Sequence, residues 1–206
     1  MIVLLLLPMG LASQESLNLE TRAPNVSLNN VSVPNAVALL LERTHLSGGI
    51  VDSFTCDDPS PYTFKISGMT LRQALDYVVG LDSRYGWHVQ DDMIIVSKRN
   101  LRAELLDTRI SSLNALHGKY LIDAVSGLLL QTSEVRNKAA ALHLTRTVQQ
   151  GRMIGADEPI IHVELHDVTV RQALDAIARQ DGHAVWRYYE RHCDKENEFN
   201  VDWLVH

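Results

Sequence analysis

SGMTLRQALDYV (Ser67–Val78) and HDVTVRQALDAI (His166–Ile177) are one phrase written twice, with Thr169 standing 99 positions after Thr70. The shared letters, Thr-x-Arg-Gln-Ala-Leu-Asp, begin a helix. A threonine at the N-cap accepts from an amide of the first turn, and a glutamine three residues later reaches back to the cap amide. Thr70 with Gln73, and Thr169 with Gln172, stand in those positions. Leu71, Ala74, Leu75 and Val78 then recur at helical spacing, as do Val170, Ala173, Leu174 and Ile177. Arg72 and Asp76 lie four apart, as do Arg171 and Asp175. Both pairs are expected on the solvent side as ion pairs worth roughly 0.3 kcal/mol.

The duplication extends beyond the phrase. Upstream, Tyr62, Phe64 and Ile66 alternate with polar or small residues, and Ile161, Val163 and Leu165 stand at the same offset. Alternation with period two marks a strand with one buried face. Downstream, Trp87 matches Trp186. A strand, a cap, a helix and a tryptophan in one register predict two copies of one unit. Thr70, Gln73, Leu75 and Trp87 are its anchors in the first copy, and Thr169, Gln172, Leu174 and Trp186 in the second. The tryptophans read as core anchors. Ahead of the phrase, VSLNNVSVPNAVALLLERTHL predicts a strand around Val26–Leu28 and a helix from about Pro34 to Thr44. After Trp87, two short strands flank an Asp91-Asp92 turn. WRYYERHCDKENEFNVDWLV predicts the same hairpin with a longer polar turn.

Each unit is therefore strand, helix, strand, strand, helix, hairpin. The predicted class is α+β, as two tandem small domains over 20–99 and 103–206, each with two helices packed on small mixed sheets. The second carries an insertion near 132–158, partly helical around KAAALHL, and KRNLRAE (Lys98–Glu104) is the linker.

The chain has 206 residues, a net charge of −6 and 46% hydrophobic residues, which fits a globular protein with a real core. The acidic balance argues against nucleic acid as the partner, since that needs a basic face. The opening MIVLLLLPMGLASQES is too short for a bilayer span of about 20 residues. It reads as a secretory signal over residues 1–13, cut after Gly10-Leu11-Ala12, although neither lysine nor arginine precedes the apolar run. The mature chain is then expected to be exported and to carry no transmembrane segment.

The stretch ISGMTLRQALDYVVGLDSRYGWHVQDDMIIVSK, and more weakly VELHDVTVRQALDAIARQDGHAVW, resembles the short N-terminal domain of secretins and TonB-dependent receptors. The resemblance is closest over Asn25–Lys98 and weaker over Leu105–His206. It implies a periplasmic α+β module that makes protein–protein contacts and has no catalytic residues. In secretins this domain faces inner-membrane platform components; in signalling receptors it contacts a membrane-bound anti-sigma regulator. The sequence ends at His206, directly after the second unit, so the expectation is a free-standing pair of modules without a pore or barrel. The resemblance implies an envelope protein partner.

No side-chain pattern points to catalysis, a metal or a cofactor. There is no glycine-rich phosphate loop and no Gly-x-Ser-x-Gly. His183, His192, Cys193 and Asp194 match no common zinc spacing. His162 and His166, four apart on a strand, stand roughly 13 Å from each other, too far to share an ion. Cys56 and Cys193 suit an exported protein and are expected in polar loops as exposed thiols. As a candidate disulfide they would tie the units together. Docking is expected at sheet edges, by addition of a partner strand to the hairpins Trp87–Ser97 and Trp186–Val205. The alternative function is a small-ligand-binding or hydrolytic enzyme on the same scaffold, with His162 and His166 as the residues to test.

Overall fold

A computed structural model describes residues 17–55, 62–116, 121–147, 159–193 and 196–204. The first unit runs β1 (Val26–Val31), α1 (Val33–Thr44), β2 (Gly48–Thr55), β3 (Tyr62–Ile66), α2 (Leu71–Gly80), β4 (Tyr85–Gln90) and β5 (Met93–Lys98). The second runs β6 (Arg109–Asn114), α3 (Ile122–Leu130), α4 (Ser133–Ala141), β7 (Thr145–Arg146), β8 (Glu164–Thr169), α5 (Val170–Asp181), β9 (Val185–Cys193) and β10 (Glu196–Leu204). The fold is α+β, with helices and mixed sheets in the same chain.

Local chemistry sets the element ends. At α2 the Thr70 hydroxyl accepts from the Gln73 amide at 3.3 Å, and the Gln73 side chain accepts from the Thr70 amide at 3.0 Å. At α5 the same two bonds measure 3.2 and 2.8 Å, between Thr169 and Gln172. Both boxes satisfy amides that a helix start would otherwise leave unpaired. Ser32 caps α1, with Pro34 in its first turn. Asp91 and Asp92 take φ of 48° and 60°, the left-handed pair that a two-residue hairpin turn demands.

Three sheets result. β1 pairs antiparallel with β3, and β6 with β8. The remaining strands form one six-stranded sheet in the order β4-β5-β2-β9-β10-β7. Its left half, β4-β5-β2, repeats in its right half, β9-β10-β7: an antiparallel hairpin followed by a parallel strand. The halves meet at β2 and β9, which pair in parallel from Gly48↔Val185 to Thr55↔His192. They are related by a half-turn about an axis lying in the sheet across the strands. Helices α1 and α2 therefore cover one face, and α3 and α5 the other.

The faces follow from strand alternation. Ile50, Ile94, Val96 and Val185 point into a cluster with Leu40, Phe64, Leu71 and Leu75. Val51, Met93, Ile95, Trp186 and Tyr188 point into a second cluster with Leu106, Leu129, Leu174 and Phe199. Leu75 and Leu174 are both fully buried, in different clusters, and the shared sheet contributes side chains to both.

Several sequence expectations are corrected. The second hairpin has no longer polar turn. Cys193 pairs with Glu196, so only 194 and 195 intervene, and the polar run before them is strand β9. That run is polar because its residues form cross-strand ion pairs, such as Arg191 with Glu198 and Arg187 with Asp202. Part of the expected insertion is the counterpart of β2, namely β7. The added element is α4, tied to β6 where the Ser111 amide and hydroxyl donate to Glu134 at 2.9 and 2.7 Å. Those bonds hold the Glu134 carboxyl down at about 2. Strand β8 begins only at Glu164. Ile161 and Val163 are buried ahead of it, and one ladder bond, Ala115 amide to Val163 carbonyl, continues past the pairing. Residues 1–13 and the part of the predicted insertion beyond 147 lie outside the described residues.

Candidate functional site

Two tryptophans at matching positions define two edges. In β9, the Trp186 indole N–H donates to Asp175 on α5 at 2.9 Å. In β4, the Trp87 indole N–H donates to Asp76 on α2, also at 2.9 Å. This corrects the expected helix-surface ion pairs. The aspartate of the repeated phrase turns toward the sheet as an indole acceptor. Its arginine turns away, Arg72 to Glu20 at 3.0 Å and Arg171 to Asp107 at 4.0 Å.

The edges differ in what lies beside them. Beside β9 runs β2, so Trp186 is fully buried and Asp175 is 3% exposed. Burial pushes the Asp175 carboxyl above its usual range, against the pull of the Trp186 hydrogen bond. Beside β4 no strand lies among the described residues; Trp87 is half-buried and Asp76 exposed. The expectation that both hairpins supply open edges is narrowed for the second, whose tryptophan strand β9 is covered by β2 and whose β10 is covered by β7 only at Glu198 and Phe199. In Trp186–Val205, β9 is paired with β2 and β10 with β7. The first hairpin keeps its open edge at β4.

The approach of β2 to β9 depends on two glycines. A side chain at Gly49 would drive its Cβ into the Trp186 ring, and one at Gly48 would meet Leu41 Cδ1 at 2.6 Å and the Ile94 carbonyl at 2.7 Å. With no side chain at Gly49, the Trp186 indole lies over the β2 backbone. The first bond of the seam runs from the Gly48 amide to the Ala184 carbonyl, 3.3 Å.

The matching acceptor at the open edge is the Tyr85 carbonyl, and there the Arg99 Nε donates at 2.8 Å. The Arg99 amide also bonds the Arg84 carbonyl. That makes 84 and 99 a hydrogen-bonded pair, so alternation along the ladder turns the amides and carbonyls of Trp87 and Val89 outward. A groove of about 670 Å³ runs between α2 and this edge, lined by Asp76, Val79, Gly80, Trp87, His88 and Arg99. Val89 is 41% exposed beside it.

A second cavity, about 490 Å³, opens over the seam near the start of α1. Its floor carries the Phe54 and Tyr189 rings, 5.8 Å apart, and its walls carry Asp52, Arg187, Arg191 and Glu198. The Nε–H groups of Arg187 and Arg191 are buried without a hydrogen-bond partner. The Tyr85 hydroxyl donates to Asp52 at 2.7 Å, and burial raises that phenol above its ordinary value.

Cys193 is disulfide-bonded rather than the expected free thiol, and it ends β9 rather than lying in a loop. The parallel register of the seam closes at Thr55↔His192, and in the sequence a cysteine follows each of these residues. Cys56 lies outside the described residues, as does Asp194. His192 sits between Glu190 and Asn197, and His183 bonds the His45 carbonyl, so the two are engaged separately. His162 contacts the Leu116 carbonyl and His166 the Glu164 carboxylate, both on the exposed side of the β6·β8 ribbon.

Three groups escaped the sequence reading: the Gly48-Gly49 pair, Arg99, and the aspartates as indole acceptors. The last had a signal, since Asp and Trp stand eleven apart in both copies. No protein family, curated protein or solved structure matches the chain.

Proposed function

We propose that this chain is an exported, non-catalytic protein–protein interaction module of the bacterial cell envelope, docking on a secretion, transport or signalling assembly by taking a partner strand onto β4. One observation carries the reading: the equivalent edge, β9, already binds a strand from the other unit. The main-chain groups of an edge give affinity to any extended segment that reaches them. Export rests on the apolar start of the sequence and on the bonded state of Cys193. No helix among the described residues is long and apolar enough to cross a membrane.

The test is positional. A photo-crosslinking residue at the exposed His88 is expected to capture an envelope protein, and Val89→Pro, which removes an outward amide, is expected to abolish capture. A probe at the exposed Arg136 on α4 is the control. Equal capture at both positions, or capture indifferent to the proline, would overturn the proposal. Export is checked separately: N-terminal sequencing should find the native chain beginning near Ser13, and an intact Met1 in a cytoplasmic fraction would refute it.

A second reading, a small-ligand-binding or hydrolytic protein, is favoured by the 490 Å³ cavity that Arg187 and Arg191 line. That volume is in the range of small-molecule sites, roughly 300–1,000 Å³. It requires a ligand whose binding is lost in Arg191→Ala, or turnover lost in His162→Ala or His166→Ala.

A further inference from the structure

The duplication supplies a template for what β4 takes, because the strand on the equivalent edge is in view. We infer that β4 accepts an extended segment running parallel to it, with a glycine directly opposite Trp87, and that Arg99 holds the site until that segment displaces it. This rests on the strand-addition reading and adds direction, register and a residue requirement to it.

Direction follows from β2, which runs parallel to β9. The requirement follows from Gly49, the residue opposite Trp186, where a Cβ would enter the indole ring. Trp87 is held by the same bond to the same helix position as Trp186, with the same 2.9 Å length. Its ring is therefore set to cover an incoming backbone in the same way, and any side chain at the opposing position collides with it. Register follows from the Gly48 amide, which bonds the Ala184 carbonyl one residue before Gly49 meets Trp186. The matching acceptor at β4 is the Tyr85 carbonyl, held by Arg99 Nε. Arg99 is exposed and lies along Gly86, its Nε 3.5 Å from where a Cβ would stand there. A flexible charged side chain over an open edge is a common guard against indiscriminate pairing. A second copy of this chain cannot offer its own β2, which is paired on both sides by β5 and β9. The occupant is a segment of another protein.

The probe is a fluorescent peptide with the sequence of residues 47–55, SGGIVDSFT, titrated with the full chain. Saturable binding is expected, with the Trp87 and Val89 amides protected from hydrogen exchange. Placing leucine at the position of Gly49 in the peptide should weaken binding about tenfold or more, and Arg99→Ala in the protein should tighten it several-fold. Equal binding of both peptides, with those amides protected, would leave strand addition standing and overturn the glycine requirement. Saturable binding without protection of the Trp87 and Val89 amides, or binding unchanged by Arg99→Ala, would overturn the assignment. Binding by neither the wild-type chain nor Arg99→Ala would overturn this inference and strand addition at β4 together. Concentration-dependent dimers of Arg99→Ala without peptide would give the edge to a second copy and refute a foreign occupant.

Discussion

Trp87 with Asp76, and Trp186 with Asp175, are the same pair in the same local structure, yet one is half in water and the other is sealed. The repeated phrase builds both. The neighbouring strand separates them. β2 turns an exposed indole–carboxylate bond into a buried one, and with it changes the worth of the bond, the titration of the acid and the room for any side chain nearby. A hydrogen bond that exchanges freely with water contributes little net stability, whereas a buried group left without its partner costs about 1–3 kcal/mol.

The sharpest way to break the comparison is to separate the two halves at the seam. Gly49→Val should destabilise the chain by about 3 kcal/mol or more, because the new Cβ has no room beside the Trp186 ring. Denaturant unfolding monitored by tryptophan fluorescence would read it, and an unchanged midpoint would mean the seam is looser than described. Next in size, Trp186→Phe removes the donor from a buried carboxylate and should cost about 2 kcal/mol or more, while Trp87→Phe should cost under about 1 kcal/mol. Equal losses would erase the distinction between the two edges.

Thr70→Ala and Thr169→Ala each remove a cap that is present in both copies, and each should cost about 1 kcal/mol. Here the copies should agree, since the caps of both lie outside the seam. The smallest effect is the most diagnostic. Because the folded Asp175 carboxyl is held above its usual range, its contribution is fully present below the ordinary value of 3.8 and is lost as pH rises through the raised one. Asp175→Asn keeps an oxygen for the indole and abolishes that titration. The variant should therefore gain on the wild type as pH climbs from 3.8 toward neutrality. A flat difference between Asp175→Asn and the wild type would assign the acid to water.

Much of this architecture was legible from local pattern. The capping boxes, the stripes of Leu75 and Leu174, and the Asp91-Asp92 hairpin all follow from spacing, since helix and strand periods dictate which side chains share a face. Spacing does not say which strand lies next to which. SGGIVDSFT carries neither strict alternation nor a long apolar run, because Gly48 packs against Leu41, Gly49 passes under Trp186 and its later residues border a polar cavity. Its place at the centre of the sheet was therefore invisible, and with it the burial of Asp175 and the covering of β9. Arg99 likewise looked like linker, since an arginine guarding one carbonyl leaves no periodic trace. β7 reduces to two residues, too few for any period to register.

The seam also has a consequence for how the chain reaches this state. Gly48 and its partner Val185 are 137 positions apart, so the first unit is complete long before its central strand finds its second neighbour. At synthesis rates of roughly 5–20 residues per second, that delay is on the order of ten seconds. Throughout it, a young chain exposes one side of β2 as well as β4, and a long-separation contact of this kind closes slowly. Export before closure would carry the chain across the membrane with β2 still searching. The disulfide at Cys193, which ends β9, would then form only in an oxidising compartment, after the last strands are made.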